Sequence, residues 1–123
     1  MLMTVKEVYQ AMEGNFDDAV SRMMSERLVE KFMLKFLDDS SYSTLCEALE
    51  KDDYVTGFRA AHTLKGVCAN LAFTKLQNSS SLLTEALREG SIQPKPVVDD
   101  LFANVQKDYN ETVSAIKEYK ESL

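Results

Sequence analysis

The chain is predicted to be all-α, an antiparallel four-helix bundle preceded by one or two short N-terminal helices. Apolar residues recur at steps of three, four and seven along most of it, which is helical spacing. No segment alternates apolar and polar residues with a period of two, and no internal repeat is visible. Four Gly and two Pro in 123 residues fall well below the roughly 12% usual for proteins. A many-stranded fold would lack its turn residues.

Taken in chain order, Thr4-Val5-Lys6-Glu7 has the capping-box form and opens a short helix that Gly14-Asn15 ends. Leu28, Val29, Phe32, Met33, Phe36 and Leu37 form one apolar stripe, closed by Asp38-Asp39-Ser40-Ser41. Tyr42, Leu45, Cys46 and Leu49 make a short helix that Glu50-Lys51-Asp52-Asp53 closes. Asp52 or Asp53 then caps a helix from Tyr54 to about Phe73. Thr74-Lys75-Leu76-Gln77 reads as a second capping box, opening a helix with Leu76, Leu83 and Leu87 that stops near Gly90-Ser91. After Pro94 and Pro96, the residues Val98, Leu101, Phe102, Val105, Tyr109, Ile116, Tyr119 and Leu123 form a single stripe on a helix of about seven turns.

Length and composition set bounds on function. A chain of 123 residues suits one domain over 1–123, with the bundle core at about 25–123 and a helical segment over 1–24. It can bury roughly two-thirds of the surface of its unfolded form, and 45% hydrophobic residues argue against disorder. Fourteen Lys and Arg against 20 Asp and Glu give a net charge of −6, which disfavours nucleic acid as a partner. No basic segment leads into an apolar one at the N-terminus, and no apolar run is long enough to span a bilayer. Cys46 and Cys68 lack metal-ligand spacing and the chain has a single His, so no metal is expected. Two reduced thiols suit a cytoplasmic protein.

The charge is uneven. From Tyr54 through Thr84 there is no acid, while Arg59, Lys65 and Lys75 give +3; the other 92 residues carry −9. On a helical wheel at about 100° per residue, with Leu64 at zero, Gly57, Ala60, Ala61, Val67, Cys68 and Leu71 share the buried face. His62 falls about 160° away, Lys65 at about 100° and Gly66 at about 200°. Phe58, Arg59, Ala69 and Phe73 surround them. A solvent-facing side usually carries Glu, Lys and Gln, whereas this one has small residues, aromatics and cations around the only His, the composition of a contact surface. A lone His on a helix is usually a bystander; the outward direction, the His-Lys-Gly spacing and the cleared surface together reverse that expectation.

The chemistry that fits is phosphoryl transfer. An exposed neutral imidazole is a nucleophile. An ammonium at i+3 can reach a phosphoryl group on it, and Gly at i+4 leaves the modified ring uncrowded. With no carboxylate in the stretch to assist hydrolysis, the phosphoryl group is expected to stay on the His.

Ala61-His62-Thr63-Leu64-Lys65-Gly66, followed by Val67-Cys68-Ala69-Asn70-Leu71, resembles the signature of the histidine-containing phosphotransfer (HPt) domain. His62, Leu64, Lys65, Gly66, Leu71 and Leu76 match its pattern, and the resemblance runs from about Ser25 to Leu123. It implies a four-helix bundle acting as a phosphorelay intermediate. His62 would accept a phosphoryl group from the aspartyl phosphate of one receiver domain and pass it to the Asp of another. Lys65 would hold the group, Gly66 would let the receiver approach, and Phe58, Arg59, Ala69 and Phe73 would lie in the docking face. The resemblance further implies a monomer that meets response-regulator receivers and a hybrid histidine kinase. No cofactor of its own is implied, because Mg²⁺ sits on the receiver.

Two positions depart from the pattern. Ala72 stands where the family usually has Gly, implying a helix that ends less sharply or runs on straighter. Thr84 stands where some members place a Gln or Glu beside the His, and its shorter hydroxyl is expected to leave that hydrogen bond unmade. The chain has no room for a kinase domain and no Gly-rich nucleotide loop. Met1 and the stripe reaching Leu123 lead us to expect a free-standing protein rather than a piece of a hybrid kinase. The alternative function is a helical adaptor that binds a receiver through the same face without being phosphorylated, which would not need the His-Lys-Gly set.

Overall fold

The structure, a computed structural model, describes residues 3–123; Met1 and Leu2, the start of the predicted N-terminal segment, lie outside the described residues. The elements are α1 (Val5–Ala11), α2 (Phe16–Met23), α3 (Glu26–Lys35) continued by a 3₁₀ turn over Phe36–Asp38, α4 (Ser41–Glu50), α5 (Tyr54–Leu71), α6 (Thr74–Ala86) and α7 (Lys95–Glu121). No strand occurs among the described residues.

Capping side chains set most helix starts. The Thr4 hydroxyl accepts from Glu7 N at 3.1 Å while Glu7 accepts from Thr4 N at 3.0 Å, a reciprocal capping box. Asn15, which follows the predicted stop at Gly14, caps a second short helix by accepting from Asp18 N at 2.9 Å. Ser25 caps α3, and Asp53 rather than Asp52 caps α5, accepting from Thr56 N at 3.1 Å. Pro96 lies in the first turn of α7, where its missing N–H is no loss.

The four helices α4 to α7 pack in chain order, each against the next. Tyr42 of α4 stacks on Tyr109 of α7 with centroids 3.7 Å apart, bringing the first helix of the bundle against the last. Leu45, Leu64, Cys68, Leu76, Leu83, Val105 and Ile116 fill the centre. Val8, Tyr9 and Met12 of the N-terminal segment, with Ala19, Val29 and Met33, belong to the same apolar cluster. Gly57 lets α5 approach its neighbours, since a Cβ there would lie 3.1 Å from Leu49 Cδ2 and 3.6 Å from Leu87 Cδ1.

The α5–α6 connection departs from the sequence expectation in three linked ways. Helix α5 ends sharply, with Ala72 in the left-handed region at φ 56°. Phe73 N donates to Cys68 O at 2.9 Å and Ala72 N to Ala69 O at 3.2 Å, the paired bonds of a Schellman turn. An Ala in this conformation costs roughly 1–2 kcal/mol. That cost is offset by burying Phe73, 1% exposed, between the rings of Tyr9 and Phe36 at 5.5 and 5.1 Å. Phe73 is therefore a core residue and not part of an outward face. Thr74 is the first residue of α6 rather than its cap, because Phe73 already occupies the capping position. The stripe on α3 is corrected too: Leu28 and Phe32 remain 38% and 40% exposed.

Candidate functional site

His62 lies mid-way along α5, exposed, with Gly57, Ala60, Ala61, Leu64, Cys68 and Leu71 buried on the opposite side of the helix. The wheel derived from spacing is the one the fold adopts at these positions. One turn before it, the ring of Phe58 lies nearly parallel to the imidazole, 3° between planes and 6.0 Å between centroids. One turn after it, Gly66 is open: a Cβ built there meets nothing within 4 Å. Lys65 is partly buried, Arg59 exposed and Ala69 partly buried, all on the same helix. Neither Arg59 nor Lys65 has an ion pair among the described residues.

Helix α6 returns antiparallel along this face, and it brings side chains that the motif does not contain. The guanidinium of Arg88, just past the Leu87 cap of α6, lies over the Phe58 ring, 5.2 Å from its centroid. One turn back along α6, and so one turn on towards His62 along α5, stands Glu85. Arg88 Nε and Nη2 donate to its two carboxylate oxygens at 3.0 and 2.8 Å. Those hydrogen bonds hold the Glu85 carboxyl below its ordinary range, helped by the positive charge of Arg88 and Lys65. Glu85 therefore reaches the His62 side from the neighbouring helix, although the acid-free stretch of sequence suggested a site without carboxylates. Thr84, expected beside the His, is fully buried and donates its hydroxyl proton to Ser80 O at 2.7 Å. The i, i+3 pair Glu85–Arg88 was visible as a charge pattern, but its register against α5 depends on the two-residue Ala72–Phe73 link.

The cationic window is also smaller than the sequence implies. Lys75 is held away from the site by Glu13 at 2.7 Å, Glu111 at 3.0 Å and Asp108 at 3.8 Å. Beside the histidine face, a groove of about 880 Å³ opens between α2, α3 and the second half of α5. Met23, Phe32, Phe36, Val67 and Leu71 give it an apolar lining.

Fold and site together define a class: a helical bundle that presents one accessible imidazole on a cleared, cation-bearing face. The family model of the Hpt domain matches residues 31–116, and the chain belongs to that family. Its members are phosphotransfer modules of two-component signalling that interact with response-regulator receiver domains. No curated protein and no solved structure matches the chain. No described helix is long and apolar enough to cross a membrane.

Proposed function

We propose that His62 is the phosphoacceptor of a phosphorelay, taking a phosphoryl group from the aspartyl phosphate of one receiver domain and passing it to the Asp of another. The observation that carries this reading is the exposed His62 with open space at Gly66 and Lys65 on the same helix. In the forward step the unprotonated ring nitrogen bonds to phosphorus as the P–O bond to the aspartyl carbonyl group breaks. The aspartate leaves as a carboxylate, and no proton need move. The reverse step breaks the N–P bond and re-forms the acyl phosphate on the second receiver.

Such a reaction depends mainly on alignment and charge. The Phe58 ring limits where the imidazole can swing, and Lys65 offsets the charge of the arriving phosphoryl group. Gly66 admits the receiver's surface around its acidic pocket. Mg²⁺ and the acceptor Asp belong to that partner, so this chain contributes the nucleophile and its surroundings. The docking face comprises Phe58, Arg59 and Ala69, continued by the apolar groove through Val67 and Phe32.

Incubation with phosphorylated receivers of its organism is expected to give an acid-labile, alkali-stable phosphate on this chain, and none on His62→Gln. Wild-type protein left unlabelled by every such receiver would overturn the relay. Ala69→Glu is expected to slow transfer with helicity and melting temperature nearly unchanged; an unaltered rate would remove Ala69 from the docking face.

A further inference from the structure

We infer that the outward face of α3 selects the receiver, by holding an apolar ridge of that partner flanked by acidic side chains. This rests on the reading of His62 as the point that a receiver approaches. Arg27, Lys31 and Lys35 follow one another at four-residue steps and so form one exposed ridge on α3. None of the three has an ion pair among the described residues. Leu28 and Phe32, both exposed, run beside them, and the Lys31 ammonium lies 5.9 Å from the Phe32 centroid. The acids of α3 turn elsewhere: Glu26 lines a cleft against α1 with Val5, and Glu30 lies by Tyr119 of α7. In a chain of net charge −6, this is an unpaired cationic edge with an apolar centre.

The edge is continuous with the histidine face. Phe32 and Lys35 form part of one wall of the groove beside the site, and Val67 and Asn70 of α5 form part of the other. Val67 follows His62 by five residues, about 7.5 Å along the helix axis. A stable interface buries about 800 Å² on each partner, a footprint of roughly 16 Å radius. A receiver centred on His62 must therefore extend well past the motif, over α6 on one side or over α3 on the other. Towards α6 it meets the Glu85 carboxylate, with Arg88 already paired to it. Towards α3 it meets three unpaired cations and an apolar groove, whose lining also includes Asp38 and Asp39. A partner that holds Mg²⁺ and the acceptor Asp at its contact surface is acidic there, so the α3 side is the favourable one.

The test titrates receivers of its organism into the full-length chain and measures both binding and the rate of transfer. Reversing the ridge by Arg27→Glu, Lys31→Glu and Lys35→Glu together is expected to weaken receiver binding about tenfold or more at low salt. The difference should shrink in about 0.5 M salt, as screening requires. The same reversal at Lys51, Lys107 and Lys117, exposed at the end of α4 and on α7, changes the net charge equally and should weaken binding far less. Labelling of His62 by potassium phosphoramidate, which needs no receiver, should be alike in all three proteins. Equal binding by the wild type and the α3 variant overturns the inference, and so does equal weakening by the reversal on α4 and α7. Loss of phosphoramidate labelling in the α3 variant overturns it too, since the reversal then acts on the site itself. Phosphatidylglycerol vesicles that bind the ridge, with receivers indifferent to its reversal, would assign it to a lipid surface instead. A chain that no receiver binds overturns both this inference and the relay. Receivers that bind through α3 yet leave His62 unphosphorylated would defeat the relay and leave the docking role standing.

Discussion

Gly66 separates what the bundle needs from what a partner needs. A glycine inside a helix is less stable than alanine by about 1 kcal/mol. Nothing in the fold requires it here, since an added Cβ meets no atom within 4 Å. We therefore expect Gly66→Ala to raise stability by about 1 kcal/mol in urea unfolding and to slow phosphotransfer from a receiver. A variant that is both more stable and equally fast would show that the receiver does not approach at this position. Lys65 acts on charge rather than space. Lys65→Gln is expected to lower the transfer rate by about 10- to 100-fold, the range of a charge-assisted hydrogen bond, with the fold intact by circular dichroism. A rate unchanged from wild type would leave the phosphoryl group to Arg59.

Among the helices, the short link between α5 and α6 decides which residues face the imidazole. Its Schellman turn directs Phe73 inwards, and Tyr9 of α1 fastens the same corner by donating its hydroxyl proton to Leu71 O at 2.8 Å. Asn15 N adds a bond to Ala72 O at 2.9 Å. Phe73→Ala should cost about 3–5 kcal/mol in urea unfolding, in keeping with an aromatic lost from a core. A docking role for Phe73 would instead give slower transfer at unchanged stability, so the two measurements together distinguish the assignments. Asp53→Ala removes the cap of the helix that carries His62 and is expected to cost about 1 kcal/mol by the same assay.

Over the whole molecule, the charges explain both the pH range and the partner. Hydrogen bonds from Lys75 to Glu13, from Thr56 to Asp53 and from Arg88 to Glu85 hold these carboxyls below their ordinary range. Their stabilisation is present above the ordinary carboxylate pKa near 4 and fades as pH falls through the lower folded values. Burial pushes the Cys68 thiol and the Tyr9 hydroxyl upward, while the hydrogen bonds from Lys75 to Glu13 and Glu111 raise Lys75. Burial also pushes Tyr42 up to about 12. For the thiol and phenols the folded state favours the neutral form, so stability begins to fall once pH exceeds their ordinary values, near 8.5 and 10. Lys75 contributes fully below its ordinary value near 10.4 and loses that contribution as pH rises towards its folded one. Urea midpoints are expected to be flat from about pH 5 to 8 and to decline above about 9. Cys68→Ala should delay the alkaline decline by about one pH unit; an identical onset would show that the thiol contributes nothing to it. The acidic remainder of the surface would repel an acidic receiver in wrong orientations, leaving the face of Arg59 and Lys65 as the favourable approach.

Much of this was legible in the order of residues alone. The spacing of Gly57, Ala60, Leu64, Cys68 and Leu71 determined which side of α5 is buried, and hence that His62 points outward, because helix geometry repeats every 3.6 residues whatever surrounds it. The caps at Thr4 and Asp53 were equally local. Three features depended on the tertiary structure. Ala72 adopts a backbone conformation that its type disfavours, because burying Phe73 outweighs the local cost. Lys75, counted with the cations by sequence position, is neutralised by acids from α1 and α7. Glu85 and Arg88 reach the site only because the link sets α6 antiparallel and in register with α5. Local periodicity determined the direction of each side chain, while long-range burial decided which side chains from other helices would meet it.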